Sequence, residues 1–128
     1  MNAKESLYAS FQDGRLAQKN ITEICKILQI PYRERKRLTE LLDSLIKDGV
    51  LYQNDGGRYG TIEQLGLIKG TLRGNERGFA FLLPDDRERY PEDFFIPHKN
   101  LHGALHGDKV LIERQFGRSD DEGNVVKI

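Results

Sequence analysis

Apolar positions in the first fifty residues recur at helical spacing. A first short helix is expected around Ala3 to Phe11. In "NITEICKILQI", Asn20 stands where an N-cap belongs, Glu23 follows three residues later, and Ile21, Ile24, Cys25 and Leu28 repeat along one face. That pattern predicts a second helix with a capping box. "PYRERKRLTELLDSLIKDG" opens with Pro31, runs Leu38, Leu41, Leu42, Leu45 and Ile46 along one stripe, and reaches Gly49 in the position of a C-terminal cap, which predicts a longer third helix. Two brief extended runs, Val50 to Gln53 and Arg58 to Gly60, then flank the turn signal "NDGG". From Gly66 the pattern changes to short runs of strand character: "LGLIKGTLRG", "RGFAFLLP", "DFFIP", "DKVLIERQF" and "NVVKI", separated by Gly, Pro and Asp.

These elements predict an α+β chain of two small domains. Residues 1–62 read as a winged helix-turn-helix, whose third helix and hairpin wing are the usual contact elements. Residues 63–128 read as a five-stranded antiparallel barrel of the OB type, with the last strand cut short by the end of the chain. "TIEQ" between the halves is too short for a free tether, so the domains are expected close together.

Composition adds limits. The 128 residues are 38% hydrophobic and 31% charged, as in soluble globular proteins. No run approaches the roughly 20 apolar residues of a membrane span, and "MNAKESLYAS" lacks a secretory core, so a cytoplasmic location is expected. Cys25 is the one cysteine, in step with Ile21 and Leu28, and reads as packing rather than as a reactive thiol. The formal net charge is zero, with +2 up to Gly60 and −2 from Thr61. Any nucleic-acid binding must therefore rest on local patches and stacking rather than bulk attraction.

The candidate chemistry centres on Phe79, Phe81 and Phe95. Alternation puts Phe79 and Phe81 on one face of a strand and Ala80 and Leu82 on the other, and leaves open which face is the core. With the rings outside, Ala80 and Leu82 have sizes suited to the inside of a narrow barrel. Lys69, Arg73, Arg77 and Lys99 flank the aromatics as candidate phosphate contacts, with His98 as a further base or phosphate contact. In the helical half, Arg33, Arg35, Lys36 and Arg37 crowd the start of the third helix, and Arg58 and Tyr59 sit in the wing. For these six, nucleic-acid contact and an ordinary solvated face both stay open.

Arg77-Gly78-Phe79-Ala80-Phe81-Leu82 resembles the first RNA-binding motif of cold-shock domains, which are five-stranded OB barrels. Asp93-Phe94-Phe95-Ile96-Pro97 resembles the second, with Pro97 where free cold-shock proteins carry His. "DFFIP" followed by "LHGALHGDKV", and the earlier "GRYG" and "EQLGLIKGTL", are similar to the N-terminal region of ribonuclease R-type enzymes in the RNase II/RNB exoribonuclease family. The resemblance implies a stacking role for Phe79, Phe81 and Phe95. It implies a partner, single-stranded or structured RNA, that the chain binds and guides toward a catalytic domain lying outside these residues. It also implies a 3′-to-5′ exoribonuclease whose magnesium belongs to that missing domain, so that this fragment holds no cofactor.

Other constellations read as structural. His98, His102 and His106 are spaced by four like metal ligands, but Pro97, Gly103 and Gly107 break the helix such a set needs, so no metal site is expected. Asp85 and Asp86, and Asp120 to Glu122, fall in turn-rich segments and read as solvated loops. No nucleophile and base pair or phosphate loop is present, and no catalytic residue is expected. Two rival readings remain: a DNA-binding winged-helix regulator with an accessory barrel, and a protein-interaction module. The third helix offers Arg but no Asn or Gln for base readout.

Overall fold

The computed structural model describes residues 2–115 and 121–128. Phe116, expected at the end of the fourth barrel strand, and Asp120 lie outside the described residues. Backbone contacts divide the chain into two compact units, Met1–Leu65 and Gly66–Ile128.

The first unit contains α1 (Ala3–Gln12), α2 (Ile21–Leu28), a 3-10 turn (Tyr32–Glu34), α3 (Arg35–Lys47), the two-stranded hairpin β1 (Tyr52–Gln53) and β2 (Tyr59–Gly60), and α4 (Ile62–Leu65). Asn20 and Glu23 form the expected capping box: the Glu23 N–H donates to Asn20 Oδ1 at 2.9 Å and the Asn20 N–H to Glu23 Oε1 at 3.0 Å. The stripe on α3 buries Leu38, Leu42 and Leu45 against Leu7, Phe11, Leu16, Ile24 and Leu51, and Cys25 packs half-buried beside them. Pro31 opens a 3-10 turn rather than the α-helix itself, which begins at Arg35. Gly49 takes the positive φ of 79° that ends α3.

"TIEQ" is not a bare connection. Thr61 caps α4 reciprocally, with the Gln64 N–H donating to Thr61 Oγ1 and the Thr61 N–H to Gln64 Oε1. The T-x-x-Q signature of a capping box was present in the sequence.

The second unit is a closed five-stranded barrel in the order β3-β4-β5-β7-β6, made of β3 (Leu67–Gly74), β4 (Ala80–Pro84), β5 (Phe94–Ile96), β6 (Lys109–Gln115) and β7 (Glu122–Lys127). The expectation of an antiparallel barrel is corrected: β5 and β7 pair in parallel through Phe95 and Glu122, and the other four pairings are antiparallel. Strands of alternating direction cannot close a ring of five, so one parallel seam is unavoidable. The last strand, β7, pairs with β6 on one side and β5 on the other. It also begins earlier than expected and takes in Glu122, which is on a strand rather than in a loop.

Ile68, Leu72, Ala80, Leu82, Phe94, Ile96, Val110, Ile112 and Val125 fill the inside of the barrel. The strands are close enough that a Cβ at Gly70 would collide with the Leu83 carbonyl oxygen, so glycine is required there.

Candidate nucleic-acid interface

The alternation left open by the sequence is resolved by burial. Ala80, Leu82 and Ile96 point inward and are fully enclosed, while Phe79, Phe81 and Phe95 point outward and are half-buried. Cross-strand register sets Phe81 directly opposite Phe95, and Arg73 opposite Phe81 on the other side. The three rings touch one another: centroids are 5.8 Å apart for Phe79 and Phe81, 5.3 Å for Phe79 and Phe95, and 5.8 Å for Phe81 and Phe95. Interplanar angles run from 57° to 84°. The rings are therefore separate steps rather than one flat floor. Such edge-to-face pairs hold one another in place and account for the partial burial of apolar groups on an outer face.

The hairpin from β3 to β4 positions the edge of this cluster. In "NERG" the Gly78 N–H donates to the Asn75 carbonyl at 3.2 Å, the Arg77 N–H donates to Asn75 Oδ1 at 2.9 Å, and Gly78 carries φ 92°. This is a type I turn followed by a glycine in the left-handed region, the common three-residue hairpin loop. It exposes Arg77 two residues before Phe79.

Cations follow the outer face of β3 and the loop after β5. Lys69 and Arg73 are exposed on β3, and Lys99 is exposed in the 3-10 turn His98–Asn100. Arg73 Nη2 lies 4.0 Å from Asp93, whose other oxygen is held by Arg87 at 2.7 Å. The Asp93 charge is thus shared, and Arg87 is its tighter partner. Arg87 was not singled out in the sequence, because it lies in the loop between the two motifs and belongs to neither.

The histidines serve three different backbone and side-chain contacts. His98 Nδ1 meets the Gly78 carbonyl at 2.9 Å, His106 Nδ1 accepts the Gly74 N–H at 3.1 Å, and His102 Nε2 lies 2.8 Å from Asn124 Oδ1. Among the described residues no three His, Cys, Asp or Glu side chains stand together as a metal-ion set. Asp85 pairs with Lys109 at 2.7 Å, and Asp86 Oδ1 accepts the Arg89 N–H in a turn.

The first unit brings its candidates together less well. Arg33, Lys36 and Arg37 are exposed, but Arg35 turns back to donate to Thr22 Oγ1 at 2.6 Å and lies 5.7 Å from the Tyr32 ring centroid. Arg58 is likewise engaged, donating to the Gln18 carbonyl at 2.8 Å and to Glu23 Oε1 at 3.1 Å. The Asn20 backbone N–H, and then the Arg58 charge, hold the Glu23 carboxyl below its ordinary range. Tyr59 is corrected outright as a surface contact: it is 5% exposed, part of the core, and burial followed by the Asp43 charge pushes its phenol up. The large aromatic at this surface is instead Tyr32, 83% exposed. The sequence signal for it was its place after Pro31, before the helix stripe begins.

The second unit therefore has the architecture of an OB-like barrel, with an aromatic cluster and cations on one outer face. Residues 70–128 match the family model described as the Ribonuclease B OB domain, which supports an OB domain of the RNB family in this part of the chain. Over 122 residues the chain is 30% identical to ribonuclease R of Acidithiobacillus ferrooxidans, covering 93% of this chain and 27% of that protein. It is 50% identical over 47 residues to ribonuclease R of Chlamydia pneumoniae, 36% of this chain and 7% of that one. It is 25% identical over 112 residues to ribonuclease R of Vibrio parahaemolyticus, 85% of this chain and 13% of that one. The chain thus spans about a quarter of the first of these relatives, and less of the other two. Among the described residues no helix is long and apolar enough to cross a membrane.

Proposed function

We propose that this chain is the RNA-binding N-terminal portion of a ribonuclease R-like 3′-to-5′ exoribonuclease of the cytoplasm. In this reading residues 63–128 form a cold-shock-type OB domain that binds single-stranded or structured RNA and guides it to a magnesium-dependent catalytic domain elsewhere in the protein. Residues 1–62 form a winged helix-turn-helix, with Arg33, Lys36 and Arg37 as its basic surface. The likeness to three ribonucleases R supports the identity.

The observation that carries the binding role is the cluster of Phe79, just before β4, with Phe81 and Phe95 on the outer face of β4 and β5, flanked by Arg73, Arg77 and Lys99. Each ring offers a base a stacking partner worth roughly 1–3 kcal/mol irrespective of sequence, and the cations offer phosphate contacts. Lys69 extends this basic track along β3, and His98 borders it beyond β5.

Fluorescence titration with single-stranded RNA, single-stranded DNA and duplex DNA at two salt concentrations tests the proposal. Single strands are expected to bind tighter than duplex, with affinity falling as salt rises. A preference for duplex DNA would overturn the reading in favour of a DNA-binding regulator.

A further inference from the structure

Beside the aromatic cluster, at the end of the barrel where the β3–β4 hairpin meets the loop between β5 and β6, lies a groove of about 780 Å³. That size falls within the roughly 300–1,000 Å³ of small-molecule sites. Phe79 belongs to both features, lining the groove while its ring contacts Phe81 and Phe95. Ala80 and Ala104 line it as apolar wall, and Leu105 stands at it 70% exposed. Because Phe79 lines the groove, a base stacked on its ring would lie next to it.

The polar groups in the groove are specific in kind. A carbonyl only accepts, so the contact with the Gly78 carbonyl requires the hydrogen of neutral His98 on Nδ1 and leaves Nε2 as an acceptor. His106 is the reverse: its Nδ1 accepts the Gly74 N–H, so in the neutral ring Nε2 carries the hydrogen and donates. Asn75 Oδ1 takes the Arg77 N–H, which leaves the amide NH2 as a second donor, and the Glu76 carboxylate supplies further acceptors. The groove therefore offers two donors and two acceptor groups, one of them anionic.

Guanine matches that inventory. Its N1–H and N2–H2 are adjacent donors suited to one carboxylate, and its O6 and N7 are adjacent acceptors. Adenine, cytosine and uracil each present a single donor group on the pairing edge, which places an acceptor against the carboxylate. Glu76 is exposed, so the wrong base forfeits the paired contact rather than stranding a buried charge, and the discrimination is that of one base contact.

We propose that this groove is a guanine subsite, in which one unstacked base of the bound RNA is read by Glu76, His98, His106 and Asn75 next to Phe79. This rests on the reading of the aromatic face as a single-strand RNA surface and adds a base preference to a surface otherwise indifferent to sequence.

The test is fluorescence anisotropy on the full chain with oligouridine of about eight nucleotides, within the site size of one OB fold, and with oligomers carrying one G, A or C at each position in turn. At one position G is expected to tighten binding about tenfold, a 1.4 kcal/mol effect typical of a single base contact, while A and C do not. Glu76→Gln, at an exposed turn position, is expected to raise affinity for every oligomer slightly by removing a negative charge, and to remove most of the guanine advantage. Oligouridine bound with no preference for G at any position overturns the subsite and leaves the aromatic surface standing. A guanine preference that survives Glu76→Gln overturns it as well, by placing the readout elsewhere. Failure of every oligomer to bind overturns the subsite together with the RNA-binding reading.

Discussion

The outer face of the barrel and the basic end of α3 carry similar residue types, an aromatic group among cations, and the folds treat them differently. In the barrel, Phe79 just before β4, Phe81 on it and Phe95 on β5 are brought within 6 Å of one another, with backbone register setting Phe81 opposite Phe95. In the helical unit, Tyr59 goes into the core, Arg35 and Arg58 are drawn into capping and helix-to-helix contacts, and Tyr32 remains exposed with Arg33, Lys36 and Arg37. A sheet converts alternation into a surface of fixed spacing. The helical unit divides the same kinds of residues between scaffold and solvent.

The largest expected effect separates the two faces of β4. Leu82→Ala removes a fully enclosed side chain and is expected to cost the barrel about 2–5 kcal/mol of stability, read by denaturant unfolding. Phe81→Ala, one residue away, is expected to cost less stability, about 0.5–1.5 kcal/mol for each lost ring pair, but about 1–3 kcal/mol of single-strand RNA affinity. If Phe81→Ala instead unfolds the barrel as Leu82→Ala does, the outer rings are core and the contrast disappears.

A second comparison sets the units against each other. The triple change Arg33→Ala, Lys36→Ala and Arg37→Ala is expected to weaken single-strand RNA binding less than Phe81→Ala alone, measured in the same titration. A larger loss in the triple variant would move the main interface to the helical unit.

Arg73→Ala gives a smaller and more specific effect. Loss of one phosphate contact is expected to reduce the slope of log affinity against log salt by about 0.7, while the preference for single strands persists. An unchanged slope would mean that Arg73 serves only its partner Asp93.

The smallest effect concerns Glu23, which links the α2 cap to Arg58 of the hairpin. Because its folded pKa is depressed below the ordinary 4.5, its stabilising contribution is complete above that pH and is lost as pH falls through the lowered value. Hydrogen exchange of α2 amides is expected to be slower in the wild type than in Glu23→Gln at neutral pH, with the difference closing below pH 4.5. A difference that does not change with pH would assign the effect to packing instead of charge.

Much of this organisation was legible in the sequence, for reasons that differ by element. The Asn20 and Glu23 box, the α3 stripe and the Gly49 stop are local patterns, and local patterns survive folding with little change. Period-two alternation put Phe79 and Phe81 on one face and left open which face was the core; the small size of Ala80 and the resemblance to cold-shock domains favoured the outward turn that burial shows. The parallel seam between β5 and β7 followed from the strand count alone, but it was masked by the antiparallel hairpins around it. Tyr59 was misjudged because a hairpin of two-residue strands gives alternation no length over which to separate inside from outside. The groove beside Phe79 was invisible for a different reason: Glu76, His98 and His106 come from separate loops, and only closure of the barrel brings them together.

The central claim is that the aromatic face of β4 and β5, rather than the basic end of α3, is the RNA surface. Titration of the 15N-labelled chain with single-stranded oligouridine, followed by backbone amide shifts, measures it directly. The account predicts the largest shifts at Arg77–Phe81 and Phe95, with small ones across Tyr32–Arg37. Shifts concentrated in Tyr32–Arg37, with Phe79, Phe81 and Phe95 unmoved, would contradict it.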